Sequence, residues 1–172
     1  MKSIRSISFI AIYSAIIFGA QVALASIPNV EIVTILFFVI AMSLPLRKTL
    51  LISLCFTLIE GLYWGFSDWT IAYMYIWPIF IITITLLKDK IKGPLLPALI
   101  SGIFGLAFGT FCSFTVFFTL GFQAGISYIV AGIMFDLIHG ASNFILMLIL
   151  YQPLQRVILL VKKEGEYLNE EW

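Results

Sequence analysis

The chain has 172 residues, of which 62% are hydrophobic and 11% charged, and its mean hydropathy is +1.10. That leaves too little polar surface for a water-soluble globule, so the composition indicates an integral membrane protein. The net charge of +1 carries no information about nucleic acid, but no basic patch interleaved with aromatics occurs, so no nucleic-acid partner is expected; two cysteines in apolar runs, Cys55 and Cys112, do not make a disulfide framework.

A helix needs about 20 apolar residues to cross the hydrocarbon core. Six runs approach that length, at about 6–26, 31–46, 49–65, 70–87, 95–119 and 125–150. None shows the alternation of barrel strands, and backbone groups in lipid must be satisfied within the segment. The expected fold is therefore an all-α integral membrane protein, a six-transmembrane-helix bundle forming one domain over 1–172 with a cytoplasmic tail at 151–172.

The first run, within MKSIRSISFIAIYSAIIFGAQVALAS, imitates a secretory signal by its basic start and its Ala23 and Ala25 ending, but its apolar stretch exceeds the usual ~7–15 residues, so it is read as the first span. Ala11, Ala15, Gly19 and Ala23 recur in it every four residues. Such small-residue ridges let helices approach closely, either inside the bundle or against a partner. Pro28 and Asn29 follow in the first connection, and Glu31 opens the second run. Glu60 lies in the last turns of the third run.

Next comes the most aromatic stretch, GLYWGFSDWTIAYMYIW, with Trp64, Trp69, Tyr73 and Trp77 among its rings. Part of it suits an interfacial belt, where Trp and Tyr sit at headgroup level. Trp77, however, falls about two turns into the fourth run, with Tyr73 one turn earlier on the same face; a stacked pair beside carboxylates suits a flat, polar or cationic ring. In the fifth run Ala98, Gly102, Gly105 and Gly109 form a second small-residue ridge, read as internal packing.

The sixth run contains FDLIHGASNF. At 100° per residue Asp136, His139 and Asn143 fall within about 60° of one another, a polar stripe on an apolar helix. A charge near mid-bilayer costs at least ~2.5 kcal/mol on insertion scales, so such groups face the bundle interior or a wet cavity. Two readings stay open for the stripe, a structural network and a ligand-binding wall. A metal site would need a third ligand, and none is evident.

All ten basic residues fall at the N-terminus (Lys2, Arg5), the second connection (Arg47, Lys48), the fourth (Lys88, Lys90, Lys92) or the tail (Arg156, Lys162, Lys163). The positive-inside bias then puts both termini in the cytoplasm. Asn29, Glu31, Glu60 and the aromatic stretch accordingly gather at the outer side, above a floor of Asp136 and His139, as an outward-facing pocket. No phosphate loop, nucleophile elbow or zinc helix motif occurs, so no catalytic residues are assigned and no cofactor is expected.

A short six-helix chain with an AxxxA motif in its first helix (AIYSA, 11–15), a first outer loop reading ALASIPNVE and a sixth helix reading FDLIHGASN resembles the substrate-binding S components of energy-coupling factor (ECF) vitamin transporters. The resemblance implies a bacterial plasma-membrane protein that captures a vitamin or related micronutrient for an ABC importer and is not itself an enzyme. Ala11, Ala15 and Gly19 would meet a transmembrane coupling subunit driven by two cytoplasmic ATPases. Asn29, Glu31, Glu60, Trp64, Trp69, Tyr73, Trp77, Asp136, His139 and Asn143 would bind substrate. With no Lys or Arg on the outer side, a neutral or cationic heterocycle such as thiamine, its pyrimidine precursor or a pyridoxine-like ring is favoured, with cobalamin open. The residues alone also admit a scaffold resembling the small rod-complex cell-shape protein, a small secondary carrier, or an intramembrane enzyme using Asp136 and His139, which would need a nucleophile or metal not in evidence.

Overall fold

The computed structural model describes residues 2–27 and 29–169. Met1, Pro28 and 170–172 lie outside the described residues, as do the side chains of Lys2, Ser3, Arg5, 161, 162 and 164–169. Among the described residues there is no strand; the chain forms α1 (Lys2–Leu24), α2 (Val33–Ser43), α3 (Leu46–Trp64), α4 (Asp68–Leu87), α5 (Leu95–Leu120) and α6 (Phe122–Asn169), with one 3-10 turn at Lys88–Lys90.

Four stretches are long and apolar enough to cross a membrane: Ser6–Leu24, Asp68–Lys90, Leu95–Leu120 and Phe122–Leu160. Two of the six expected spans differ. The run at 31–46 yields only the 11 residues of α2, which at 1.5 Å each reach about half of a ~30 Å hydrocarbon core. Helix α3 has 19 residues but carries Arg47, Lys48 and Glu60. At the other end α6 continues past residue 150, through Pro153, to Asn169. Its continuation takes in most of the residues read as a tail.

Packing explains the short helix. Helix α2 touches α1, α3, α4 and α6, while α1, α3, α4, α5 and α6 contact one another in that cyclic order. A helix enclosed by others should be apolar all round, and in α2 Val33, Thr34, Ile35, Phe37, Phe38, Val39, Ile40 and Ala41 are all buried. It is the core around which the other five wrap.

The closest pairing is α5 with α6, joined by Gly121 alone at φ +89°, a left-handed conformation that side chains rarely adopt. The ridge of α5 is internal, and it brings backbones together: a Cβ on Gly105 would lie 2.8 Å from the Gly140 Cα and 2.9 Å from the His139 carbonyl oxygen, and one on Gly109 would lie 2.6 Å from Asp136 Oδ1. Only glycine lets α6 come this near. At the start of α4 the Ser67 N–H donates to Thr70 Oγ1 at 3.2 Å, closing one half of a capping box.

Candidate ligand-binding site

Where α1 and α3 finish and α2 begins, the bundle holds a cavity of about 350 Å³. It lies among the connections that carry no basic residue. Gln21 comes from the end of α1, Ala25, Asn29 and Glu31 from the following connection, and Trp64 from the end of α3. Tyr73 and Trp77 of α4, Phe108 of α5, and Phe135 and His139 of α6 complete the wall. No Lys or Arg is among the lining residues.

The polar side is built by a chain of contacts between α6 and the start of α2. Asn29 turns the backbone at φ +63°, a region that Asn tolerates better than most residues. Its carbonyl accepts a bond of 2.9 Å from Ser142 Oγ, which also reaches the His139 carbonyl at 3.0 Å. Glu31 accepts the Thr34 N–H at 2.9 Å and the Thr34 hydroxyl, so its carboxylate satisfies a donor at the N-terminus of α2 and sits at the favourable end of the helix dipole. Asn143 Nδ2 donates to Thr34 Oγ1 at 3.4 Å. His139 Nε2 stands 3.7 Å from Glu31 Oε1, within ion-pair range but too long for a hydrogen bond.

The aromatic side holds the His139 ring nearly parallel to Phe135, at 5.4 Å and 16°, with Phe108 on it at 5.1 Å. Tyr73 and Trp77 do not stack as their spacing suggests; they meet edge to face, 5.5 Å apart at 75°. Trp77 is also a core residue, 2% exposed and packed on Phe37, Phe56, Phe104 and Phe108. Buried polar groups nearly always find a partner. Here Trp77 Nε1, both His139 nitrogens and Gln21 Oε1 are buried with no hydrogen-bond partner among the described residues.

Of the residues singled out in the sequence, Asn29, Glu31, Trp64, Tyr73, Trp77 and His139 share this cavity. Glu60 does not line it. It is fully buried behind Gln21, whose Nε2 donates to Glu60 Oε2 at 3.0 Å. Asp136 is also behind the wall, 8% exposed, with Oδ1 accepting the Gly109 N–H at 2.8 Å. Asn143 belongs to the structural chain through Thr34, so the stripe on α6 divides: His139 faces the cavity and its neighbours hold helices together. Trp69 lines a second cavity of about 350 Å³ between α4, α5 and α6.

Of the wall residues that escaped the sequence reading, three bring an amide or an aromatic ring: Gln21, Phe108 and Phe135. Gln21 carried a usable signal, an amide in an apolar run like Asn143. Phe108 and Phe135 carried none, being two of 16 phenylalanines. Among the described residues no group of three His, Cys, Asp or Glu side chains could hold a metal ion, and both cysteines are free, Cys55 half-buried and Cys112 buried.

Ala11, Ala15, Gly19 and Ala23 lie exposed along α1, while Ile10, Ser14 and Ile17 on the opposite side are buried. A Cβ on Gly19 would meet nothing within 4 Å. Ser14 Oγ meanwhile bonds the Ile10 and Ile52 carbonyls at 2.8 and 3.1 Å. The ridge therefore does not pack inside this chain. Comparison with protein-family models, with curated proteins and with solved structures gives no match.

Proposed function

We propose that the chain is the substrate-binding membrane subunit of an ECF-type importer for a vitamin or related micronutrient. The observation that carries this reading is the cavity at one end of the bundle, in which buried donors and acceptors with no partner among the described residues converge among aromatic walls. Each such group costs about 1–3 kcal/mol when left unsatisfied, and a ligand offering complementary atoms would recover that. A cavity of about 350 Å³ also lies within the ~300–1,000 Å³ range of small-molecule sites. Glu31 without Lys or Arg on the wall favours a neutral or cationic heterocycle.

In this reading all six helices belong to the membrane bundle, both termini are cytoplasmic, and the cavity opens at the outer face of a bacterial plasma membrane. The exposed ridge of Ala11, Ala15 and Gly19 is the surface for a coupling subunit driven by two ATPases. Its exposure favours a partner over internal packing. The test is mass spectrometry of what copurifies with the protein, followed by titration against a vitamin panel. A bound micronutrient supports the reading; a protein that carries nothing and binds nothing on the panel is a scaffold instead.

A further inference from the structure

We propose that the groove between α4 and α5 on the outside of the bundle is a site for one anionic phospholipid, with an acyl chain in the groove and the headgroup on Lys88, Lys90 and Lys92. The inference goes beyond the importer reading. It needs only that α4 and α5 cross the membrane, for which both are long and apolar enough.

The groove is a cavity of about 240 Å³, lined on α4 by Ile79 and Thr83 and on α5 by residues between Ile100 and Phe111. It shares no residue with the cavity that holds His139. Buried Phe80 and Phe104, with ring centres 4.4 Å apart, form its floor. Ile79 and Ile103 are 43% and 63% exposed, so the groove faces outward. Its one polar side chain, Thr83, donates its hydroxyl to the Ile79 carbonyl at 2.8 Å, which leaves an apolar lining with no hydrogen bond to offer. Such a lining suits a hydrocarbon chain.

Its length fits a lipid better than a protein span. Ile100 to Phe111 is a rise of about 16 Å, close to half of the ~30 Å hydrocarbon core and so the depth of one leaflet. At the far end the groove stops where the Tyr75 hydroxyl donates to the Phe111 carbonyl at 2.6 Å and ties the two helices together. A helix crossing the whole membrane would need a longer seat.

At the near end both helices run into the connection that holds Lys88, Lys90 and Lys92. Leu86, on the same face of α4 as Thr83 and 75% exposed, continues the apolar track toward it. Thr83 to Lys88 is a rise of about 7 Å, similar to the ~5–7 Å headgroup layer on each side of a bilayer. All three lysines are exposed, and none is paired with a carboxylate among the described residues. Asp89 lies between them, and three lysines against one aspartate leave the connection at +2. The groove alone would accept any acyl chain; basic residues at headgroup level select an anionic one.

The experiment titrates the purified full chain in detergent with phosphatidylglycerol or phosphatidylcholine of identical acyl chains, read by native mass spectrometry. The wild type should retain one phosphatidylglycerol, bound about tenfold or more tighter than phosphatidylcholine. Lys88→Gln, Lys90→Gln and Lys92→Gln together should erase that preference and leave phosphatidylcholine binding within about twofold of wild type. Ala107→Phe, at a half-buried position in the lining, should fill the groove and weaken both lipids about tenfold or more. Ile79→Trp adds bulk from the exposed rim and repeats this test should Ala107→Phe lower the Tm. Equal retention of the two lipids by the wild type, or a preference that survives loss of the lysines, overturns the headgroup site. Lipid binding unchanged in both groove variants overturns the acyl seat. A copurified protein released by the groove variants, with no lipid retained, gives the face to a protein partner and overturns the lipid site as a whole.

Discussion

Replacing Trp77 separates its two roles. Trp77→Ala would confuse them, because the indole is 2% exposed with its ring centre 4.8 Å from Phe37 and 5.5 Å from Tyr73, and emptying such a position costs about 3–5 kcal/mol. Trp77→Phe keeps a ring on the same neighbours. Its void, on the order of 40 Å³ at ~24 cal/mol per Å³, costs about 1 kcal/mol, and removal of the buried unpartnered N–H offsets it, so stability should change little. No protein acceptor loses a bond, since Nε1 has no partner among the described residues. Ligand binding should lose one neutral hydrogen bond, up to about 1.4 kcal/mol or roughly tenfold in Kd. The assay pairs thermal unfolding in detergent with calorimetric titration of whichever vitamin the wild type binds. Wild-type affinity at little-changed Tm would show that the indole N–H does not meet ligand, and that Trp77 serves the core alone.

Three further outcomes follow from the packing. Gly105→Ala puts a Cβ within 3 Å of the α6 backbone, an overpacking that should cost about 1–3 kcal/mol and displace His139, read as a lower Tm together with weaker binding. Ala11→Leu with Ala15→Leu adds bulk to an exposed face; stability and substrate binding should stay within about 0.5 kcal/mol of wild type while uptake into proteoliposomes collapses and pull-down of the coupling subunit weakens. Loss of binding, or normal transport, in that double variant would move the partner surface elsewhere. Asp136→Asn retains a carbonyl oxygen for the Gly109 N–H, so it should fold normally yet bind a cationic ligand about tenfold more weakly than wild type, with a neutral isostere unaffected. Equal losses for both would assign Asp136 to structure.

Composition and periodicity were enough to establish helices rather than strands and to place most helix boundaries within a few residues, because burial in lipid forces each helix to satisfy its own backbone and leaves a long apolar run behind. They also picked out Glu31, His139 and Trp77, since polar or amphipathic groups stand out against an apolar chain. Helix α2 shows what that information lacks. Its apolar run reads like a span, and only the ring of helices around it reveals a short central element. The same holds for polar residues one turn apart: His139 and Asn143 share a face of α6, yet one meets the cavity and the other Thr34. Gln21 joined the site through a bond to Glu60, 39 residues away, and Phe108 and Phe135 through the glycine-lined approach of α5 to α6. Contacts between distant segments are decided by which faces pack together, and a single helix's pattern specifies its apolar face without specifying its neighbour.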